Sequence, residues 1–481
     1  MNVYDRILFL FICLNGSIII TLVTPGSLTI RFLYLFVSIY LIFTSFLGRH
    51  NIFCNPFNPY IAYRLVLMVT MVLQIPRSLI KGINFSEETY VTILLTVLSF
   101  FITMDIVAYF IPKVMNIPVI DFTRNRAPVS SYFFVVIYFM GWLFRVYSLS
   151  SGLFYGTFFA TQLMITTFSN IIGQLNNIGL LALIGYAIFS SRRKPNLIVF
   201  IMIIGEIVWM LISGSKAAIF YVLLPIIFIY FYKSKYRVGW KSLIIIISLL
   251  FLMILFFQMV KDYRIVVQKY SLGKGLSFQL IIVAFKSTLE DENIITNLVS
   301  NLGEIFDNVL DRLNWAYYYG ALLEQPTLLQ EKWYGRSYLP IFFWWIPRAV
   351  WPEKPQVSVG NWYGRTVLGW TYNTRSEGAI TLWGDAMMNF GILGVLIIQI
   401  IWILVVFLIY RLGFSLGNWG FFFLASVYVR LLLGLEQNAA VPLVAIQQSA
   451  LVIWIFSLIT KMFIWLYNNF KLRRTLRRTY G

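Results

Sequence analysis

Recurrent apolar stretches divide this chain, each approaching the roughly 20 residues an α-helix needs to cross the hydrocarbon of a bilayer, and few folds can hold so many of them. They cover 7–23, 30–47, 60–80, 90–111, 129–149, 171–189, 196–213, 217–232, 241–259, 389–411, 417–434 and 441–467. With 59% hydrophobic and 12% charged residues, the chain lies far from soluble domains, which run at about 25% charged. Outer-membrane barrels alternate polar and apolar residues along strands of about 10 residues, whereas blocks such as Leu243 to Phe257 are apolar throughout. The pattern predicts an all-α polytopic membrane protein of about twelve transmembrane helices. No small-residue cleavage site follows the block 7–23, which reads as a retained signal anchor.

The distribution of charge orients these spans. Alternate short loops are basic: Arg49 with Arg64, Lys113 with Arg124 and Arg126, Arg192 to Lys194, Lys233 to Lys241, Arg411, and the tail carrying Lys471, Arg473, Arg474, Arg477 and Arg478. The positive-inside rule makes those loops cytoplasmic, with both termini. The basic tail reads as a topology determinant that touches anionic lipid, and nucleic acid is not an expected partner. Two cysteines and one histidine, His50, supply no metal cluster or disulfide framework.

Residues 260–388 differ from the rest. Twelve of the 19 acidic residues and twelve of the 38 Lys and Arg fall there, so this stretch is neutral while the remainder carries the whole net charge of +19. The chain thus reads as 1–259 with nine spans, a large outer loop at 260–388, and 389–481 with three spans and the tail. Within the loop, Ile295, Leu298, Leu302, Ile305, Phe306, Val309, Leu310 and Leu313 recur at helical spacing, which predicts an amphipathic helix. Either it packs on the loop's own core or it lies along the outer leaflet. Tyr338 to Ile346 is too short to span and rich in aromatics, the composition of a segment resting among headgroups.

That segment runs into Pro347, Arg348, Trp351, Pro352, Lys354 and Pro355. Prolines stiffen the backbone and remove amide donors, so two cations stand on a rigid scaffold at headgroup depth. Their natural ligand is a phosphate or pyrophosphate of a lipid. Arg365, Arg375, Glu377 and Asp385 follow, and Arg77, Arg145, Lys216, Arg430 and Glu436 occupy the outer ends of spans, together a basic outer vestibule. Asp105 and Glu206 lie deeper, as partners of buried ion pairs or as steps of a proton path. Amides at Asn170, Gln174, Asn176, Asn177, Gln437, Asn438, Gln447 and Gln448 serve either helix–helix hydrogen bonds or sugar hydroxyls.

The set Ile346-Pro347-Arg348, Trp351-Pro352 and Lys354-Pro355, followed by Gly384-Asp385 and Asn389-Phe390-Gly391 and preceded by Ser213 to Ala217, resembles the Wzy-type oligosaccharide repeat-unit polymerases of O-antigen, common-antigen and capsule assembly. Lys216 replaces the Arg more usual in that family, which keeps the charge and loses the planar fork. The resemblance implies a GT-C-like inverting glycosyltransferase of the bacterial inner membrane. It would move a growing glycan from undecaprenyl diphosphate to the non-reducing end of a new undecaprenyl-diphosphate-linked repeat unit, on the periplasmic side. On that implication Arg348 and Lys354, with Arg375, Arg365 and Lys216 and the vestibule cations Arg77, Arg145 and Arg430, hold diphosphate. Asp385, or else Glu377, takes the proton of the acceptor hydroxyl. No metal or cofactor is called for. A chain-length regulator and a flippase are implied neighbours; the competing reading is that the chain is itself the flippase. An O-antigen ligase is disfavoured because such ligases rely on a loop histidine.

Overall fold

The computed structural model describes residues 3–46, 58–110, 131–150, 180–181, 197–213, 227, 248, 302–346, 350–370, 378–415 and 417–480. Among them every regular element is a helix. Five helices are long and apolar enough to cross a membrane, within Leu28–Ser45, Pro59–Ile80, Glu87–Phe110, Leu382–Gly413 and Ala440–Ile459. They coincide with five of the expected spans. Helices also occupy 3–23, 131–150, 197–213 and 417–433, near four more, while the expected spans 171–189, 217–232 and 241–259 lie outside the described residues apart from isolated positions.

Local chemistry fixes how these helices begin and bend. The span Pro59–Ile80 consists of α3 (Pro59–Leu67), a π-turn (Met68–Val72) and α4 (Gln74–Ile80). Asn58 caps it by accepting from Tyr60 N at 3.0 Å, with Pro59 at the first helical position. Pro76 lacks the amide that would bond the carbonyl four residues earlier. The ladder widens upstream: Leu73 N donates to Met68 O, and the Gln74 side chain covers the Val69 carbonyl at 3.1 Å. Helix α5 (Glu87–Phe110) opens on Glu87 and Glu88, carboxylates at the positive end of its dipole.

The long helix Leu382–Ser415, here α13, begins ahead of the apolar run. Its apolar run was expected to start at Asn389 as the loop ended at 388, yet the helix starts seven residues earlier. The Thr381 hydroxyl caps it, accepting from Gly384 N at 3.1 Å. Leu382, Trp383 and Met388 are buried, so the residues preceding the apolar run are held by packing. Gly391, at φ 67° and ψ −156°, kinks the helix. The closing helix α15 (Ala440–Tyr480) carries the basic tail as a continuation of the span.

Between these spans the loop builds α8 (Leu302–Arg312), α9 (Trp315–Leu323), α10 (Pro326–Gln330), α11 (Pro340–Phe343) and α12 (Gly360–Thr366). Helix α9 lies in the mouth of the bundle, with Trp315, Tyr319 and Leu322 fully buried. Tyr319 meets Trp383 at 6.4 Å between ring centroids, and Trp383 meets Phe100 edge-on at 6.0 Å. Gly320 lets the Phe85 ring approach so closely that an added Cβ would sit 2.5 Å from it. A second, smaller core of Leu322, Tyr363, Ile380 and Met388 belongs largely to the loop.

At the other end of the bundle Arg64 is buried, not a loop cation as its sequence position suggested. Its Nη2 reaches Asp105 at 2.5 Å and Tyr60 Oη at 2.9 Å, and Tyr40 and Tyr60 donate to the same carboxylate. Asp105 is thus an ion-pair partner. A count of basic residues along a sequence cannot register such burial.

Candidate functional site

The loop meets three span ends around Asp385. This residue lies in the first turn of α13, fully buried, as are Asn389, Ser337 and Thr381. Asp385 Oδ2 accepts from Ala439 N at 3.2 Å and Oδ1 from Asn389 Nδ2 at 3.2 Å. The same Asn389 amide donates to Ser337 Oγ at 2.7 Å, and its Oδ1 accepts from Gly335 N at 2.8 Å. Trp333 N donates to Met388 O at 3.0 Å and Lys332 Nζ to Met387 O at 3.3 Å, in the turn that precedes the Gly391 kink. Asp385 has no ion pair among the described residues, and its named donors are neutral. A carboxylate offers about four acceptor positions, so it keeps capacity for a further donor, although solvent does not reach it.

Thr381 adds strain at this junction. It holds φ at 65°, an outlier for a β-branched residue. Its amide donates to Glu436 O at 2.9 Å while its hydroxyl caps α13, so both its polar groups fix the conformation. The turn 434–439, which joins α14 (Gly417–Leu433) to α15, is therefore fastened to the start of α13 twice, through Thr381 and through Asp385. Burial holds the Glu436 carboxyl above its ordinary value, against the pull of the Arg312 guanidinium 2.6 Å away.

Helix α8 is docked through its charged side. Arg77 contacts Asp307 at 3.0 Å and Asp311 at 2.7 Å, and Lys81 contacts Asp311 at 3.2 Å. Its acids grip the end of α4, and Phe306 remains exposed. Residues 295–301 of the expected helix lie outside the described residues. Glu324 at the end of α9 accepts from Ser86 N and Oγ at 2.7 and 2.8 Å, which ties the loop to the start of α5.

The predicted cations divide by their partners. Arg77 is bound to the α8 acids. Arg145 makes a bidentate pair with Glu206 at 2.7 and 3.1 Å, so Glu206 too is an ion-pair partner. Arg430 Nη1 donates to Ala445 O at 3.1 Å. Lys354 is buried and donates to Trp344 O and Ile346 O at 2.8 and 2.9 Å. Arg365 is exposed on α12. Arg348, Arg375, Glu377 and Lys216 lie outside the described residues, as do Asn170, Gln174, Asn176 and Asn177. Of the second amide group, Asn438 holds the loop, donating to Val357 O at 2.8 Å and accepting from Val359 N at 3.4 Å. Ser337, Thr381 and the amide of Ala439 were not singled out from sequence, since nothing local marks a residue whose partners are 40 or more positions away.

No protein-family model matches the chain, and neither a curated protein nor a solved structure matches it.

Proposed function

We propose that the chain polymerises lipid-linked oligosaccharide repeat units at the outer face of a bacterial inner membrane, as an inverting glycosyltransferase. The bond from the sugar C1 to the donor diphosphate breaks, and undecaprenyl diphosphate leaves. A new C1–O bond forms to a hydroxyl at the non-reducing end of the acceptor repeat unit, whose proton passes to a carboxylate. Asp385 is the first choice for that carboxylate and Glu377 the second. Arg348, with Arg375, Arg365 and Lys216, carries the developing charge of the leaving diphosphate; cations fixed before reaction lower the barrier because they bind the transition state more strongly than the ground state. Neither metal nor cofactor takes part. A chain-length regulator and a flippase are the expected neighbours.

The observation that most supports this reading is the junction at Asp385. A carboxylate without a cationic partner among the described residues sits where the loop, α13 and the α14–α15 turn meet, on the face of the bundle that carries the loop. A structural carboxylate at such a depth ordinarily has a cation beside it, as Asp105 and Glu206 do. Arg348→Ala should abolish long-chain glycan while the protein accumulates in the membrane, and Asp385→Asn should stop elongation. Normal polymer from both variants would remove this reading.

The flippase reading draws on a different feature. The Arg64, Asp105, Tyr40 and Tyr60 cluster, with Asp105 partly exposed, supplies ionisable groups at the opposite end of the bundle. Reconstituted protein given purified lipid-linked repeat units separates the two: a ladder of products marks the polymerase, and translocation without a ladder marks the flippase.

A further inference from the structure

Lys354 stands out among the buried polar groups. Only 5% of it is exposed, yet it carries a cationic head on a loop at the protein surface. Its Nζ donates to Trp344 O at 2.8 Å and to Ile346 O at 2.9 Å, ten and eight residues earlier in the chain. Both carbonyls follow α11, where helical donors run out, and a cationic side chain can serve such carbonyls. The same two flanks meet again through Phe343 and Trp351, edge to face at 5.5 Å. Lys354 N also donates to Trp351 O at 3.2 Å and turns the second flank back on itself. Residues 343–346 and 351–354 are thus fastened to each other twice, once by aromatic packing and once by an ammonium.

We infer that Lys354 is a positioning residue and not a diphosphate ligand: its ammonium fastens 344–346 to 351–354, the two described stretches between which Arg348 lies in the chain. Arg348 itself is outside the described residues. An ammonium has three donors, and these two carbonyls take two of them at short range. Both contacts lie in the interior, so to reach a diphosphate at the surface Lys354 would have to emerge, at the cost of those pairings. Held where it is, it sets the spacing of Trp344 and Ile346 from Trp351 and Lys354. The prolines at 352 and 355 then act on a frame that is already closed.

This inference rests on the polymerase reading only for its effect on activity; the contact itself can be tested independently. The full-length protein in lipid nanodiscs is treated with a water-soluble amine-acetylating ester, with and without farnesyl diphosphate, and acetylation at each lysine is followed by mass spectrometry. Lys354 should react far more slowly than Lys81, whose side chain is 35% exposed, and farnesyl diphosphate should not change its rate. Rapid acetylation of Lys354 that farnesyl diphosphate suppresses would make it a ligand and overturn the inference. On the activity side, Lys354→Met should slow ladder formation by about 100-fold, the order expected when a binding group is displaced by an ångström. Adding Lys354→Met to Arg348→Lys, a variant that keeps the charge and so a measurable ladder, should cost less than the product of the two single losses, since groups acting through one another are not additive. Losses that multiply in full would assign Lys354 a separate role and overturn the inference. Were Arg348→Ala to leave the ladder intact, the polymerase reading would suffer while the acetylation result still decided the place of Lys354.

Discussion

Arg145 offers the sharpest test of whether a membrane cation serves a ligand or the fold. It is 9% exposed and Glu206 is 2% exposed, and the two share a bidentate contact at 2.7 and 3.1 Å. The guanidinium also lies 4.8 Å from the Trp209 ring centroid and 5.4 Å from that of Trp142. Arg145→Met leaves the Glu206 carboxylate buried without its partner, and Glu206→Met does the reverse. Removing one partner of a buried pair costs about 3–5 kcal/mol, and lost contact with a desolvated ring accounts for about 2 kcal/mol of such a figure when the cation is the one removed. Replacing both with apolar side chains of similar volume should instead be neutral or stabilising by about 1–4 kcal/mol. The double variant should therefore melt at or above the wild-type temperature, while each single variant melts well below it. Thermal unfolding in nanodiscs provides the stabilities, and ladder formation on the same samples provides activity. If either single variant melts like the wild type, the buried pair does not hold α6 (Ser131–Ser150) to α7 (Leu197–Ser213). If the double variant melts normally but makes no polymer, Arg145 acts on the diphosphate and the structural reading is refuted.

Acid should loosen the loop from the bundle. The hydrogen bond from Arg77, with Lys81 nearby, holds the Asp307 carboxyl below its ordinary 3.8. Burial pushes Glu324 up, but the Thr89 hydroxyl and the amide and hydroxyl of Ser86 more than offset it and leave it below 4.5. Both carboxyls are depressed in the folded state, so their stabilisation is complete above those ordinary values and is lost as pH falls through the lower folded-state ones. Hydrogen exchange of 83–89 and 302–313, corrected for intrinsic rate, should accelerate below about pH 4, and Asp307→Asn with Glu324→Gln should flatten that response; unchanged protection of the wild type down to pH 3 would be evidence against it. Gly391→Ala should lower stability by about 1–3 kcal/mol, because φ 67° with ψ −156° is a region open essentially to glycine. Its new Cβ would meet Lys332 Nζ at 3.5 Å, an ordinary contact, so the penalty is one of backbone strain. Gly303→Ala in α8 meets nothing within 4 Å and should be neutral or stabilising in the same unfolding measurement.

Spans were legible because length and apolarity are local properties: the runs beginning near Leu28, Pro59 and Glu87 are helices with ends close to those read from sequence. Ends built by packing were not. Leu382 to Met388 form the start of α13 because the loop covers them, and α9, nine residues long, carries no local mark of its burial although Trp315 and Tyr319 are fully buried. The least legible property was what each charge is for. Arg64 and Arg145 resemble the other basic residues until Asp105 and Glu206, 41 and 61 positions further on, are brought against them. The same holds for Arg77 with the α8 acids and for Lys354 with two carbonyls. A cation held by the fold gains its stabilisation in the ground state and has none to add as a diphosphate departs, whereas catalysis requires interactions that strengthen in the transition state. On that criterion Arg77, Arg145 and Lys354, each held by named partners, add little to the proposed chemistry. The carboxylate proposed for that chemistry, Asp385, is fully buried and takes its described hydrogen bonds from neutral groups.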